Sequence, residues 1–479
     1  MDICPEIRDL WAKGCFRNCR RAPMGARTTR EIAEFVVATG LRHIPADVVD
    51  YAKILGLSHI GMNVAGTRMK VGQTVIRYVQ AKGGVTDAGI FGTGIRAPVE
   101  YATIANANAA HATELEDDSF PETMYSCGHW PPVFALSEKL GLSGARLLEA
   151  LILGYEVAAR LGLAFDKGMK KGWASWAALG TIGNAAAASK LMGLNVDQTT
   201  TAISLAASQA AGILKQTGSG AHIVEAGFSG RNGICAAELA ALGYTGQSDI
   251  LEGSHGFGYL WADTPEFDLA LGDGYRIYAV GIKKYPCCFF KHRNMDGLLE
   301  LIREHKIKWI DVANIDHGIN VTHAQILKYD QPTSAEEARF SLPHCTVACF
   351  FDDTVFLSSF SDEKATDPRW HEARKKVSVT VHQDWPKGGV EAFDSPITIT
   401  MKDGRVFSKL CHDSPGEPDN SRFGINEVLA KFGKCMDFAK VFSDRELKEI
   451  ESLVVGIDEV KDVSKLAALL TFPQRLQAN

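Results

Sequence analysis

Between Asn106 and His129 the chain reads NANAAHATELEDDSFPETMYSCGH, which contains His111, Glu114, Glu116, Asp117, Asp118, Glu122 and His129. Acids and imidazoles converging on one turn are what proton transfer near neutral pH requires. A run of acids behind a small apolar stretch is ordinarily a solvated helix end, because like charges repel and burying them is costly. Here the acids are bracketed by two histidines, and the loop carries Ser119, Pro121, Tyr125 and Cys127 in place of Lys/Ser/Gly filler. The stretch therefore reads as a candidate acid–base site, with Glu114, Asp117, Asp118 and His129 at its centre and Ser119 as a candidate substrate contact.

Three further groups have the right chemistry to join it. KQTGSGAHIVEAGFSGR (Lys215–Arg231) is a glycine-opened loop running into a helix and holding His222 and Glu225; a helix N-terminus favours a carboxylate ligand. Lys283-Lys284-Tyr285-Pro286-Cys287-Cys288, followed by Lys291, His292 and Arg293, is a cationic cluster suited to closing over an anion. Tyr329 after Lys328 is a weaker candidate. No HExxH, HxH or zinc-type Cys/His spacing occurs, and Ser229 in GFSGR is not a GxSxG elbow. Phe91–Ile95 has the glycines of a phosphate loop without its strand and lysine, and reads as a connector. What is left is acid–base work on an anionic substrate without metal or cofactor.

The whole-chain properties agree. With 479 residues, two or more domains are expected. A net charge of −6 argues against a nucleic-acid coat, and no apolar run is long enough to span a bilayer. The first residues mix Arg8, Arg17 and Arg20 with Asp2, Glu6 and Asp9, unlike a secretory signal. Eleven scattered cysteines read as reduced thiols. The expected location is the cytoplasm, with the mitochondrial matrix as the other reducing compartment.

The elements that must position these groups are mostly helical. Residues 1–28 look loosely ordered. Helices are expected from Thr29 onward, over Ala102–Ala112, Ala135–Leu140, Ala145–Leu163 (Ser143 as N-cap), Ala177–Leu194, Val196–Thr217 and Gly227–Leu242. GTIGNAAAASK (Gly180–Lys190) is so small-sided that helices must approach closely there. Near Asp273 the period changes: His317–Leu327 and Lys376–His382 alternate as strands do, and Ile397–Leu410 reads as a hairpin about Asp403-Gly404. Glu336–Phe356 looks helical between them, and charged helices return over Asn426–Phe432 and Asp444–Leu470.

HATELEDD, GTIGNAAAASKLMGL, AGFSGRNGICAAELAALGYTG, ILEGSHGFG, KKYPCC and SAEEARFSLPHCTVAC, in this order, resemble the MmgE/PrpD family from about Thr29 to about Leu470. The resemblance implies a mainly α fold: a large helical domain (29–272), a smaller α+β lid (273–412), and a tail (413–479) returning to the large domain. It also implies a homodimer, no cofactor, and a small polycarboxylate substrate altered by moving a proton next to a carboxylate. Carried over by motif, the family's H-x-x-D/E acid falls on Glu114, the histidine after the acidic loop on His129, and the lid lysine on Lys283 or Lys284. The acidic loop is longer than in the decarboxylases of the family. The histidine those enzymes carry ahead of GTxG falls on Ala174, and a lysine falls on His222. These departures place decarboxylation below dehydration of a 2-methylcitrate- or alkylcitrate-type tricarboxylate by a hydro-lyase. In that scheme His129 and His222 transfer protons, and Asp117, Asp118 and Glu114 orient His129. Lys283, Lys284 and Arg231 bind carboxylates, with Tyr329 as an extra donor. Epimerisation of a small dicarboxylate needs only two proton-transfer groups and is the second enzymatic expectation; an inactive polycarboxylate-binding paralogue is the third.

Overall fold

The computed structural model describes residues 28–119, 126–389, 392–418 and 422–474. Residues 1–27 of the expected loose start and the loop positions Pro121, Glu122 and Tyr125 lie outside them, while Thr28 already begins the first helix. Two hydrophobic cores organise the chain. The larger runs from Ile32 to Ile282 and resumes from Val428 to Leu470; the smaller holds residues between Tyr285 and Cys411. The architecture is mainly helical with a smaller α+β unit.

The helical body contains α1 (Thr28–Ala38), α2 (Ala46–Gly66), α3 (Lys70–Lys82), α4 (Val99–Ala112), α5 (Ser126–Lys139), α6 (Gly144–Ala164), α7 (Ser175–Met192), α8 (Val196–Ala207) and α9 (Gly220–Ala241). Ser143 caps α6, accepting the Arg146 amide at 3.4 Å. A short hairpin, β1 (Ala88–Ile90) and β2 (Ile95–Ala97), turns through the glycines of Phe91–Ile95. Two boundaries differ from expectation. The helix expected over Val196–Thr217 stops at Ala207, and α9 starts at Gly220 instead of Gly227. Gly212 and Gly218 lie between them at φ +140° and +87°, a backbone that interrupts a helix.

Close packing of small residues sets the site's walls. A Cβ on Gly183 of α7 would lie 2.4 Å from the Gly154 carbonyl oxygen of α6 and 3.0 Å from Cε1 of His129. A Cβ on Gly66 of α2 would lie 1.7 Å from the carbonyl oxygen of Ala109 in α4. Larger residues at either crossing would push the helices apart. Pro131 and Pro132 lie inside α5 and cannot donate to the carbonyls four residues earlier. Asn184 of α7 satisfies the one at Gly128, donating at 3.0 Å beside His129.

The smaller unit is a four-stranded sheet in the order β6-β5-β7-β8, built from β5 (Val312–Asn320), β6 (Val377–His382), β7 (Ser395–Met401) and β8 (Val406–Cys411). β5 pairs parallel to β6, and the other pairs are antiparallel. α10 (His292–His305) packs on β7 and β8, and α11 (Leu342–Phe351) on β6. The expected hairpin turns at Gly404, φ +89°. The strand expected over His317–Leu327 ends at Asn320, whose side chain accepts the His323 amide and caps a helical turn from Val321 to Ile326. The helix expected over Glu336–Phe356 is interrupted between Ala338 and Leu342. From the tail, α12 (Ile425–Ala439) packs against α2. No disulfide joins the described cysteines, and no described helix is long and apolar enough to cross a membrane.

Gly183→Ala should lower stability by about 1–3 kcal/mol, read by denaturant unfolding; an unchanged midpoint would show that the α6–α7 crossing has slack. His59, fully buried and stacked on Trp130 at 6.1 Å, is pushed down to about 3 by burial. Its folded value lies below the unfolded one of ~6.5, so the stability it contributes is present above pH 6.5 and lost as pH falls. His59→Leu should therefore shift the wild-type–variant stability difference by about 1.4 kcal/mol in the variant's favour between pH 7.5 and 5.5. A difference independent of pH would refute this.

Candidate active site

The acidic turn is buried. α4 ends at Ala112, and Glu114 adopts a left-handed backbone, φ +54°, uncommon for a residue other than glycine. The chain then enters the two-residue strand β3 (Asp117–Asp118), antiparallel to β4 (Gly281–Ile282), with Asp117 opposite Ile282. Continuing that register brings Lys283 opposite Glu116. The Lys283 ammonium, 1% exposed, donates to Glu114 at 2.9 Å and to Glu116, and lies 4.0 Å from Asp118. From α12, Lys431 donates to the Leu115 carbonyl. Asp117 accepts the Ser126 amide at 2.7 Å, which ties the far end of the acidic loop to α5.

Burial and charge sort these groups. Burial opposes ionisation of Glu114, but Lys283, with help from His222 and His111, outweighs it and holds the carboxyl down at about 2. Burial and the Glu114 charge push Glu116 up against Lys283. Burial lifts Asp117 to about 6 and raises Asp118 well above the carboxylate range. Burial works against the Lys283 ammonium, and the three acids around it more than restore it. Lys431 is lowered to about 8 by burial.

His222, in the first turn of α9, faces this cluster. Its ring centroid is 4.7 Å from that of His111, 5.0 Å from Trp176 and 5.6 Å from Phe340. Burial, then the neighbouring His111 and Lys283, lower it to about 3, so it is an unprotonated base at neutral pH. One donor atom each from His111, Glu114 and His222 lies within 4.8 Å of the others, a set able to hold a metal ion.

Several of the expected groups lie elsewhere. Lys284 points away, bound to Asp296 at 2.5 Å beside Tyr285 and Ser414. Successive residues leaving a strand face opposite ways, so Lys283 alone reaches the acids. Arg231 is nine residues beyond His222, about two and a half helical turns, and so lies on the opposite face of α9. Its guanidinium is bound to Asn232 at 2.8 Å and lies over Phe228. Tyr329 donates to the Thr217 carbonyl at 3.1 Å, bridging the smaller unit to the entrance of α9. Glu225 accepts the Ile213 amide.

His129 is buried in α5 with both ring nitrogens unpartnered. Among the described residues no hydrogen bond or ion pair joins it to Glu114, Asp117 or Asp118, so the expected orientation of His129 by these acids is absent. Its surroundings are Tyr155, edge-on at 5.9 Å and bonded to Ser119 at 2.7 Å, together with Asn184. Burial lowers it to about 4, Asn184 acting the other way.

Sequence reasoning missed Arg339. It sits at the interruption before α11, is 1% exposed, and leaves Nε, Nη1 and Nη2 without a hydrogen-bond partner. Its guanidinium lies over Phe360 at 5.8 Å, close enough to Glu114 and Glu116 for their charges to act on it. The arginine is visible in SAEEARFSLPHC, but no spacing within that block points it at the acidic turn.

The site thus spans both units: an acid and imidazole floor from the helical body, Lys283 at the junction, and Arg339 from the α+β side. The chain matches the model of the MmgE/PrpD N-terminal domain over residues 30–270 and that of the C-terminal domain over 285–457. It belongs to the MmgE/PrpD family. Among curated relatives it is 27% identical to cis-aconitate decarboxylase of Aspergillus terreus, covering 93% of this chain and 96% of that protein. The Homo sapiens cis-aconitate decarboxylase is 26% identical, over 93% and 95%. The cis-aconitate decarboxylase-like protein oryM of Aspergillus oryzae is 25% identical, over 92% and 97%. Members of this MmgE/PrpD type act on citrate-type acids.

Lys283→Met should cost about 3–5 kcal/mol at pH 7.5, because it leaves buried carboxylates uncompensated. The deficit should shrink toward pH 5.5 as those acids take up protons. Lys284→Met should cost at most about 1 kcal/mol. Equal losses for the two variants would contradict the assignment of Lys283.

Proposed function

We propose that this protein is a cofactor-independent lyase acting on a small citrate-type polycarboxylate, and that its reaction is dehydration. The substrate class rests on one observation: the buried guanidinium of Arg339 has all its donors unspent, within electrostatic reach of Glu114 and Glu116. A buried charge without hydrogen bonds is costly, and a planar carboxylate supplies the bidentate partner it lacks. Lys283 would take a second carboxylate as it exchanges with its acids.

The reaction type follows from how protons are distributed. Burial and the neighbouring acids push the Asp118 carboxyl up while burial pushes His222 down to about 3, and affinities separated in this way mark an acid and a base. His222 takes the proton next to a substrate carboxylate, and Asp118 delivers one to the departing hydroxyl. His129 is the second imidazole available for transfer, with Ser119 and Tyr155 beside it. Decarboxylation is the second reading, favoured by the names of the relatives. Against it, Ala174 occupies the place where the decarboxylases of the family carry a histidine, and it is fully buried against Gly212.

The test is incubation with 2-methylcitrate, a longer alkylcitrate and cis-aconitate in deuterated water, read by NMR. Loss of hydroxyl with a new alkene supports dehydration, and carbon dioxide from cis-aconitate selects the second reading. Deuterium entering recovered substrate alone would instead mean an epimerase. Arg339→Gln should raise KM at least tenfold. Turnover indifferent to that change would remove the argument for a carboxylate at Arg339.

A further inference from the structure

We propose that His111, Glu114 and His222 form a binding site for one divalent transition-metal ion of the zinc type, occupied in competition with proton transfer at His222. Two imidazoles and a carboxylate are a ligand set used by zinc with an open fourth position. Hard cations such as Ca²⁺ and Mg²⁺ select oxygen ligands, so the two imidazoles argue against them.

Three observations carry the site. One donor atom from each residue already lies within 4.8 Å of the others, and this is the one such group of three among the described residues. Tetrahedral zinc with ligands at ~2.1 Å spaces its donors by about 3.4 Å, so the set must close by at most ~1.4 Å. The ring nitrogens are available. Nδ1 of His111 lies 3.1 Å from the Ile223 carbonyl oxygen, which can only accept, so Nδ1 carries a hydrogen and Nε2 is the nitrogen left to bind a metal. That Nε2 is buried without a partner, as is Nδ1 of His222. A ligating histidine whose second nitrogen donates to a backbone carbonyl is the usual arrangement in metal sites. Glu114 and His111 are three residues apart at the end of α4, and the left-handed turn at Glu114 brings its carboxylate into the group.

Lys283 opposes an incoming cation, since it binds Oε1 of Glu114. Its charge is shared with Glu116 and Asp118. A lone pair given to a metal cannot accept a proton, so occupancy must stop any step in which His222 is the base. This inhibitory consequence rests on the lyase reading above; binding of the ion does not.

The test uses the full chain, stripped with chelator and titrated with Co²⁺, then with Zn²⁺ in competition. One Co²⁺ per chain is expected, with a visible d–d band and no intense thiolate charge-transfer band. His111→Gln and His222→Gln should weaken it at least about tenfold while metal-free thermal midpoints stay near wild type. Zn²⁺ should halt turnover of the acid panel and chelator should restore it. No stoichiometric ion in the wild type, a thiolate band from the buried cysteines, or undiminished binding by His222→Gln overturns the site. Cobalt binding as described without turnover of any polycarboxylate would sustain the site and end the lyase reading. Turnover with no cobalt band would do the reverse.

Discussion

A single buried ammonium makes the rest of this structure possible. Four carboxylates within five residues can be taken out of water only if cations arrive with them. Lys283 meets Glu114 and Glu116 directly and Asp118 at the edge of reach. The short β3–β4 pairing delivers it, because antiparallel register fixes which residue faces which. Because Lys283 cannot neutralise every acid around it, Glu116 and Asp118 are pushed up while Glu114 is held down. That uneven division turns a patch of like charge into a set of groups with distinct chemical roles.

Much of this was legible in the residues. The small-sided stretch Gly180–Lys190 announces a close helix crossing, and Gly183 against Gly154 is that crossing. Asp403-Gly404 announces the hairpin between β7 and β8. The acidic turn marks, by composition, the floor of the candidate site. What stayed hidden depends on parity, phase and distance in sequence. Lys283 and Lys284 are indistinguishable until the strand's facing is known. Arg231 and His222 share a helix but differ by half a turn. Arg339 becomes a site residue only because two short helices break beside it, and a composition that favours helix through Glu336–Phe356 conceals the break. The missing bonds to His129 have the same origin: its neighbours in sequence are committed to Lys283 and to the Ser126 amide.

The family relationship and the local geometry address different scales. The matches to the N- and C-terminal family models over residues 30–270 and 285–457 establish the family. They leave the reacting groups to be argued from this chain's own residues. Here the argument turns on a guanidinium without partners and on imidazoles kept neutral by burial, features that no identity figure reports.

The distances along the chain between these partners also order events during synthesis. Glu114 and Lys283 are separated by 169 residues, and Leu115 and Lys431 by 316. At roughly 5–20 residues per second, the acidic turn leaves the ribosome about 8–34 s before Lys283 and about 16–63 s before Lys431. Through that interval it has no internal cation of this site to bury it, and solvent must hold it open. The pocket is therefore a late product of translation, assembled only once Lys431 has been added, so a chain terminated before that residue would carry the acidic sequence without displaying the finished site.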